Sequence, residues 1–214
     1  PAPSGTRDDL WVIVRYTING ATRRYVAYLD DIDEDGANTA QEDWIFSDMA
    51  LTYSGAAATT ISGLEHLEGQ EVWVLVDGAF HPNRTVTAGA IELQAAGTKV
   101  QVGLPCPGYV ETMPLNLGGD DGTAQGKIQR VHHVVVRVLN SARGKAGPSD
   151  GVLKRLQGRL PSVPMGQAPP PFTGDIQVDW PGDYDRKQTV VVAKDAGMPM
   201  IVVAVIPSVQ TNTR

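Results

Sequence analysis

Hydrophobic and polar residues along this chain follow the spacing of strands, not of helices. Leu10-Trp11-Val12-Ile13-Val14-Arg15-Tyr16-Thr17-Ile18 is rich in β-branched and aromatic residues, and Ala21–Leu29 returns with Tyr25, Val26 and Tyr28. Asn19-Gly20 stands between them. A type I′ turn needs positive φ at both central residues, which Asn-Gly adopts readily, so the pattern predicts a long hairpin. Further strands are expected at Met49–Tyr53, Thr59–Ile61, Glu71–Val76, Arg84–Thr87, Ala90–Leu93 and Lys99–Val102. Asp77-Gly78 marks a tight turn and Thr87-Ala88-Gly89 a looser one. Later strands are expected at Tyr109–Met113, Ile128–Leu139, Gln188–Lys194 and Met200–Ile206. Residues 141–173 break the pattern with repeated glycine and with Pro169-Pro170-Pro171, which predicts a long Pro/Gly-rich loop. Helical periodicity reaches a turn or two at most, within Gly151–Leu160.

Short strands spaced by turn signals predict an all-β fold. The expected organisation is a small β-barrel or sandwich over residues 48–104, inserted into an antiparallel β domain made of residues 1–47 and 105–214. No apolar run approaches the roughly 18–20 residues of a membrane-crossing helix, so membrane insertion is not expected. Pro1 in place of an initiator methionine suggests a piece of something longer.

Charge changes the picture more than composition does. The net charge of −6 speaks against general nucleic-acid binding. Between Asp30 and Glu71 stand eleven acidic residues and no Lys or Arg, whereas Lys127–Arg159 holds eight basic residues against Asp150 alone. Such polarity suits self-association through complementary faces, as in a head-to-tail ring. It equally suits two solvated faces that neutralise one another within a subunit. On the first reading the contact residues are Asp31, Glu34 and Asp43 on the acidic side, and Arg137, Arg143, Lys145 and Arg155 on the basic arm.

One acidic loop has the spacing of a calcium site. Asp31, Asp33 and Asp35 fall at positions one, three and five, Gly36 at the sharp turn, Ala37 at the carbonyl position and Glu42 at position twelve. Hard oxygen ligands at alternate positions can wrap one Ca²⁺. Asn38 stands where an EF-hand carries an apolar residue, and the flanks read as strands. The plain alternative is an acidic solvated connection. Other motifs fail. Gly122–Lys127 is one residue short of a phosphate loop and is followed by Ile128 where Ser or Thr would hold magnesium. No G-x-S-x-G or S-x-x-K occurs, and the adjacent His132 and His133 point to opposite faces of a strand. The lone Cys106, between two prolines, reads as a small buried hydrophobe. No enzymatic activity is expected.

Several stretches carry a resemblance in their order and spacing. They are Leu10-Trp11-Val12-Ile13-Val14 with Thr17–Gly20 and Arg24-Tyr25-Val26, then Leu51–Gly55, Thr60–Gly69 and Val76–Ala79 with His81-Pro82. Val102–Pro105, Gly122–Lys127, Phe172–Asp175 and Trp180-Pro181-Gly182 with Tyr184-Asp185 continue the series. Together they resemble the C-terminal part of the tail nozzle, or tail hub, proteins of short-tailed phages and prophages. That resemblance implies a structural subunit of a homo-oligomeric ring in the virion tail, assembled in the host cytoplasm. It implies contacts with other tail or adaptor proteins, and DNA that passes through without specific binding. The residues themselves also leave open a calcium-stabilised adhesion or receptor-binding module and a carbohydrate-active accessory domain.

Overall fold

The computed structural model describes residues 2–4, 7–29, 40–116, 118–119, 122–123, 126–148, 152–156, 163–164 and 167–212. The fold is all-β: 63% strand and no α-helix among the described residues, with four antiparallel sheets of three or four strands and a two-stranded ribbon. The chain divides into two compact units, residues 1–106 and 107–214. The N-terminal hairpin thus falls in the same unit as the 48–104 sheet, whereas the sequence pattern groups residues 1–47 with 105–214.

The first unit holds β1 (Ala2–Ser4), β2 (Arg7–Ile18), β3 (Ala21–Leu29), β4 (Asp48–Ser62), β5 (Glu71–Val76), β6 (Ala79–Thr85) and β7 (Ala90–Leu104). β2 and β3 form the expected hairpin, in unbroken register from Leu10↔Leu29 to Ile18↔Ala21. Asn19 and Gly20 turn it at φ of 48° and 72°. The other four strands form an open antiparallel sheet in the order β4-β7-β5-β6. No closed barrel forms among the described residues, because β4 and β6 are not paired with each other. Asp77-Gly78 turns β5 into β6 at φ of 48° and 75°. Ile61, Leu64, Leu67, Val72, Val86 and Val100 are central to the core, and Ile18 of the hairpin is buried with them.

Two pairs of expected strands are single long ones. β4 runs through Gly55-Ala56-Ala57-Ala58, and β7 through Ala95-Ala96-Gly97. The ladder between them absorbs these small residues as register shifts between Ser54 and Thr60. The Thr87–Ala90 turn is tight, not loose: Thr87 and Ala90 exchange both backbone hydrogen bonds, at 3.0 and 3.1 Å. Ala88 and Gly89 stand at φ of 53° and 69°. A left-handed conformation costs an alanine roughly 1–2 kcal/mol. The Glu68 carboxylate offsets that cost by accepting the Ala88 and Gly89 amides at 3.0 and 2.7 Å. Glycine suits position 89 by its positive φ, and a Cβ there would displace the exposed Glu65 side chain, whose Cγ would lie 2.9 Å away.

The second unit holds β8 (Tyr109–Glu111), β9 (Gly118–Gly119), β10 (Gly122–Thr123), β11 (Ile128–Ser141), β12 (Gly144–Gly147), β13 (Lys154–Leu156), β14 (Phe172–Asp179), β15 (Val191–Ala193) and β16 (Ile201–Asn212). β11 is the centre of the sheet β14-β11-β16, and the second sheet runs β13-β12-β15-β8. Val131, Val134, Val136 and Val138 of β11 share one core with Ala146, Leu156 and Val192 of the other sheet. A bulge against β16 between Val131 and His133 restarts the alternation. It leaves His132 exposed between the buried Val131 and Val134. The expected loop at 141–173 is therefore partly strand, because β12 and β13 lie within it. Trp180 is buried against Gly182, where a Cβ would come within 2.8 Å of the indole nitrogen.

Candidate assembly surface

Directly opposed residues of an antiparallel pair project to the same face, so the hairpin register sorts its side chains. One face carries Val14, Tyr16 and Ile18 with Tyr25 and Ala21. Near the turn this face packs on the first unit's core: Ile18 is buried, and Tyr16 and Tyr25 lie against the cluster. Burial and the nearby Asp48 carboxylate raise the Tyr16 phenol above its ordinary range.

The opposite face carries Trp11↔Tyr28, Ile13↔Val26, Arg15↔Arg24 and Thr17↔Thr22. Nothing covers it among the described residues. Trp11 is 50% exposed, Tyr28 56%, Ile13 76% and Val26 70%. The Trp11 and Tyr28 rings meet at 5.5 Å, inclined by 45°. Beside this apolar stripe, Arg15 and Arg24 oppose one another as like charges, an unfavourable cross-strand pair. Arg15, Arg23 and Arg24 make no ion pair among the described residues.

The residues expected at subunit contacts are distributed differently. Asp31 and Glu34 lie outside the described residues, as do Asp33 and Asp35 of the calcium spacing. Glu42, its twelfth position, is exposed on a 3₁₀ turn (Gln41–Asp43), with Lys99 Nζ 4.0 Å from its carboxylate. Asp43 pairs with the same Lys99. Among the described residues no group of three or more His, Cys, Asp or Glu is placed to hold a metal.

The basic arm is largely neutralised within its own unit. Arg137 donates to Asp175 on the neighbouring strand through two nitrogens, at 2.7 and 2.9 Å. Hydrogen bonding to that guanidinium holds the Asp175 carboxyl below its ordinary range. Arg143 reaches Asp195 at 3.1 and 3.2 Å, and Lys145 reaches the same carboxylate at 2.9 Å. Burial would raise the Asp195 pKa, but the bonds from Arg143 and Lys145 outweigh it and hold the group low. Arg155 is exposed and lies directly opposite Lys145 across the β12–β13 pair.

Charge nevertheless remains segregated between the units. Residues 1–106 carry fifteen acidic and six basic side chains, and residues 107–214 nine and twelve, a net −9 against +3. Cys106 is exposed, not buried. It lies in an unpaired segment between β7 and β8, where Pro105 and Pro107 lack the N–H that a sheet ladder needs. Compared with known proteins, the chain matches no family model and no curated protein.

Proposed function

We propose that this chain is a non-enzymatic structural subunit of an oligomeric ring of the phage tail nozzle type, a virion component that conducts DNA during ejection. The observation that carries the reading is the segregation of charge, −9 in one compact unit and +3 in the other. Complementary surfaces on one polypeptide favour contacts between neighbouring copies, and heterologous contacts of that kind form rings when the rotation between copies closes. An acid-rich unit also suits a DNA conduit, because like charge keeps the duplex from adhering. Other tail or adaptor proteins would dock on the ring, and assembly would take place in the host cytoplasm. The 45° inclination of Trp11 to Tyr28 offers no flat aromatic platform for a sugar ring. The test is the mass of the purified chain in low and high salt, with negative-stain images of the larger species. Rings that dissociate as salt rises support the proposal, since exposed charge pairs are screened beyond about 10 Å at 0.1 M. A monomer at every salt and protein concentration overturns it.

A further inference from the structure

We infer that the uncovered face of the β2–β3 hairpin is the surface on which a second copy of this chain docks, its Trp11–Tyr28 and Ile13–Val26 pairs entering the contact and Arg15 and Arg24 meeting carboxylates of that copy. The inference rests on the ring reading, and the contact it assigns joins the first units of neighbouring copies, separately from the charge difference between the two units.

Three independent observations point to this occupant. Leu10-Trp11-Val12-Ile13-Val14 is a continuous apolar run. Strands that read this way are buried on both faces, whereas strands with one wet face alternate. Here one face reaches the unit's core only near the turn, through Tyr16, Ile18 and Tyr25, while Leu10 and Val12 on that face and Trp11 and Ile13 on the other are all exposed, so the burial written into the run comes from elsewhere. The second observation is electrostatic. Arg15 and Arg24 directly oppose one another on this face with no carboxylate partner among the described residues. The remainder of the first unit supplies the complement, with Asp48, Glu65, Glu71 and Glu92 all exposed. A second copy brings those carboxylates. The third is size and backbone. The uncovered face holds eight residues, Trp11 to Tyr28, so the acidic surface that surrounds it must add to the contact to reach the roughly 20–30 residues a side of a standard interface. Among the described residues β3 pairs only with β2, so its outer edge can offer N–H and C=O groups to another strand.

The contact is heterologous: the hairpin of one copy meets the acidic surface of the next. Such a contact leaves the second copy's own hairpin free to continue the series, as ring closure requires. Trp11 and Tyr28, large and stiff, have the character of interface anchors, and the arginines that of the polar rim.

Sedimentation of the 214-residue chain, wild type beside Ile13→Asp/Val26→Asp, tests this directly. Both side chains are mostly exposed, so circular dichroism and the melting curve of the variant should match wild type and certify its fold. Association should weaken at least 100-fold in that variant. Arg15→Glu/Arg24→Glu should also weaken it and should flatten its salt dependence. If the aspartate variant assembles as wild type does, this surface assignment is wrong while the ring reading stands. If wild type itself remains monomeric, both fail. A melting curve that collapses in the aspartate variant would show the face to be covered within the chain, and would overturn the inference too.

Discussion

The hairpin of the first unit and the central sheet of the second are built from similar residues yet finished differently. β11 has a strand on each side and a second sheet across one face, so Val134 and Val136 are fully buried. The arginine on its other face, Arg137, finds Asp175 on the adjacent strand. β2 and β3 have each other, the short β1 beside the start of β2, a core contact near the turn, and three arginines without carboxylates among the described residues. The second unit is not free of exposed apolar groups, Val203 and Ile206 of β16 among them, but its arginine on β11 is paired where those of the hairpin are not. Pairing also reassigns the basic arm. Arg137, Arg143 and Lys145 pair within their unit, which leaves Arg155 as the one residue of the expected basic contact set without an ion pair among the described residues.

The contrast can be broken most severely at Val136→Asp. A carboxylate placed among Val131, Val134 and Val178 has no counterion in that core, and the cost should be roughly 4 kcal/mol or more, enough to unfold the second unit. Loss of the cooperative transition in chemical denaturation would register it. Ile13→Ala, in a strand of the same type, should move the stability of the dissociated chain by no more than about 0.5 kcal/mol, because its side chain is already in water.

Glu68→Ala should come next in size. Removing the carboxylate leaves the Ala88 and Gly89 amides without their acceptor and the Ala88 conformation without its support. A loss of about 1–3 kcal/mol is expected, read as a lower denaturant midpoint.

His81 supplies a pH test confined to the first unit. Its Nε2 accepts the Gln94 amide at 3.0 Å and its Nδ1 lies 2.7 Å from the Pro82 carbonyl, an arrangement that fits only the neutral ring. Burial lowers its pKa, and the nearby Arg84 adds to this against the Pro82 carbonyl. The unfolded chain therefore binds the proton more readily than the folded one. The stability contributed by the neutral ring is complete above the ordinary histidine pKa of about 6.5 and is lost as pH falls below it. The melting temperature should drop from pH 7 towards pH 5, and His81→Gln should show less of that drop. The smallest effect belongs to Arg137→Ala. This exposed pair is open to solvent screening, and its removal should leave the melting temperature unchanged within error.

Turn chemistry was the most legible part of the fold. Asn19-Gly20 and Asp77-Gly78 stand at the positive φ values their identities imply. The lengths of β4 and β7 were not legible, since alanine and glycine at 55–58 and 95–97 look like breaks and become register shifts only when a partner strand is present. β12 and β13 escaped for a related reason: strands of four and three residues within a glycine- and proline-rich stretch carry too little pattern to stand out. The Glu68 anchor joins residues twenty positions apart, and no local spacing announces it. The hairpin surface did have a signal, the apolar run that refuses to alternate. Its meaning required knowing which face the unit's own core had already used.

Hydrogen–deuterium exchange over residues 10–29, measured on the assembled and the salt-dissociated chain, bears most directly on that surface. Copies that join through the hairpin should slow the outward-facing amides of Ala21–Leu29 on assembly, while amides of β11, already paired on both sides, stay unchanged. Assembly with no change in hairpin exchange would place the contact elsewhere and contradict the assignment.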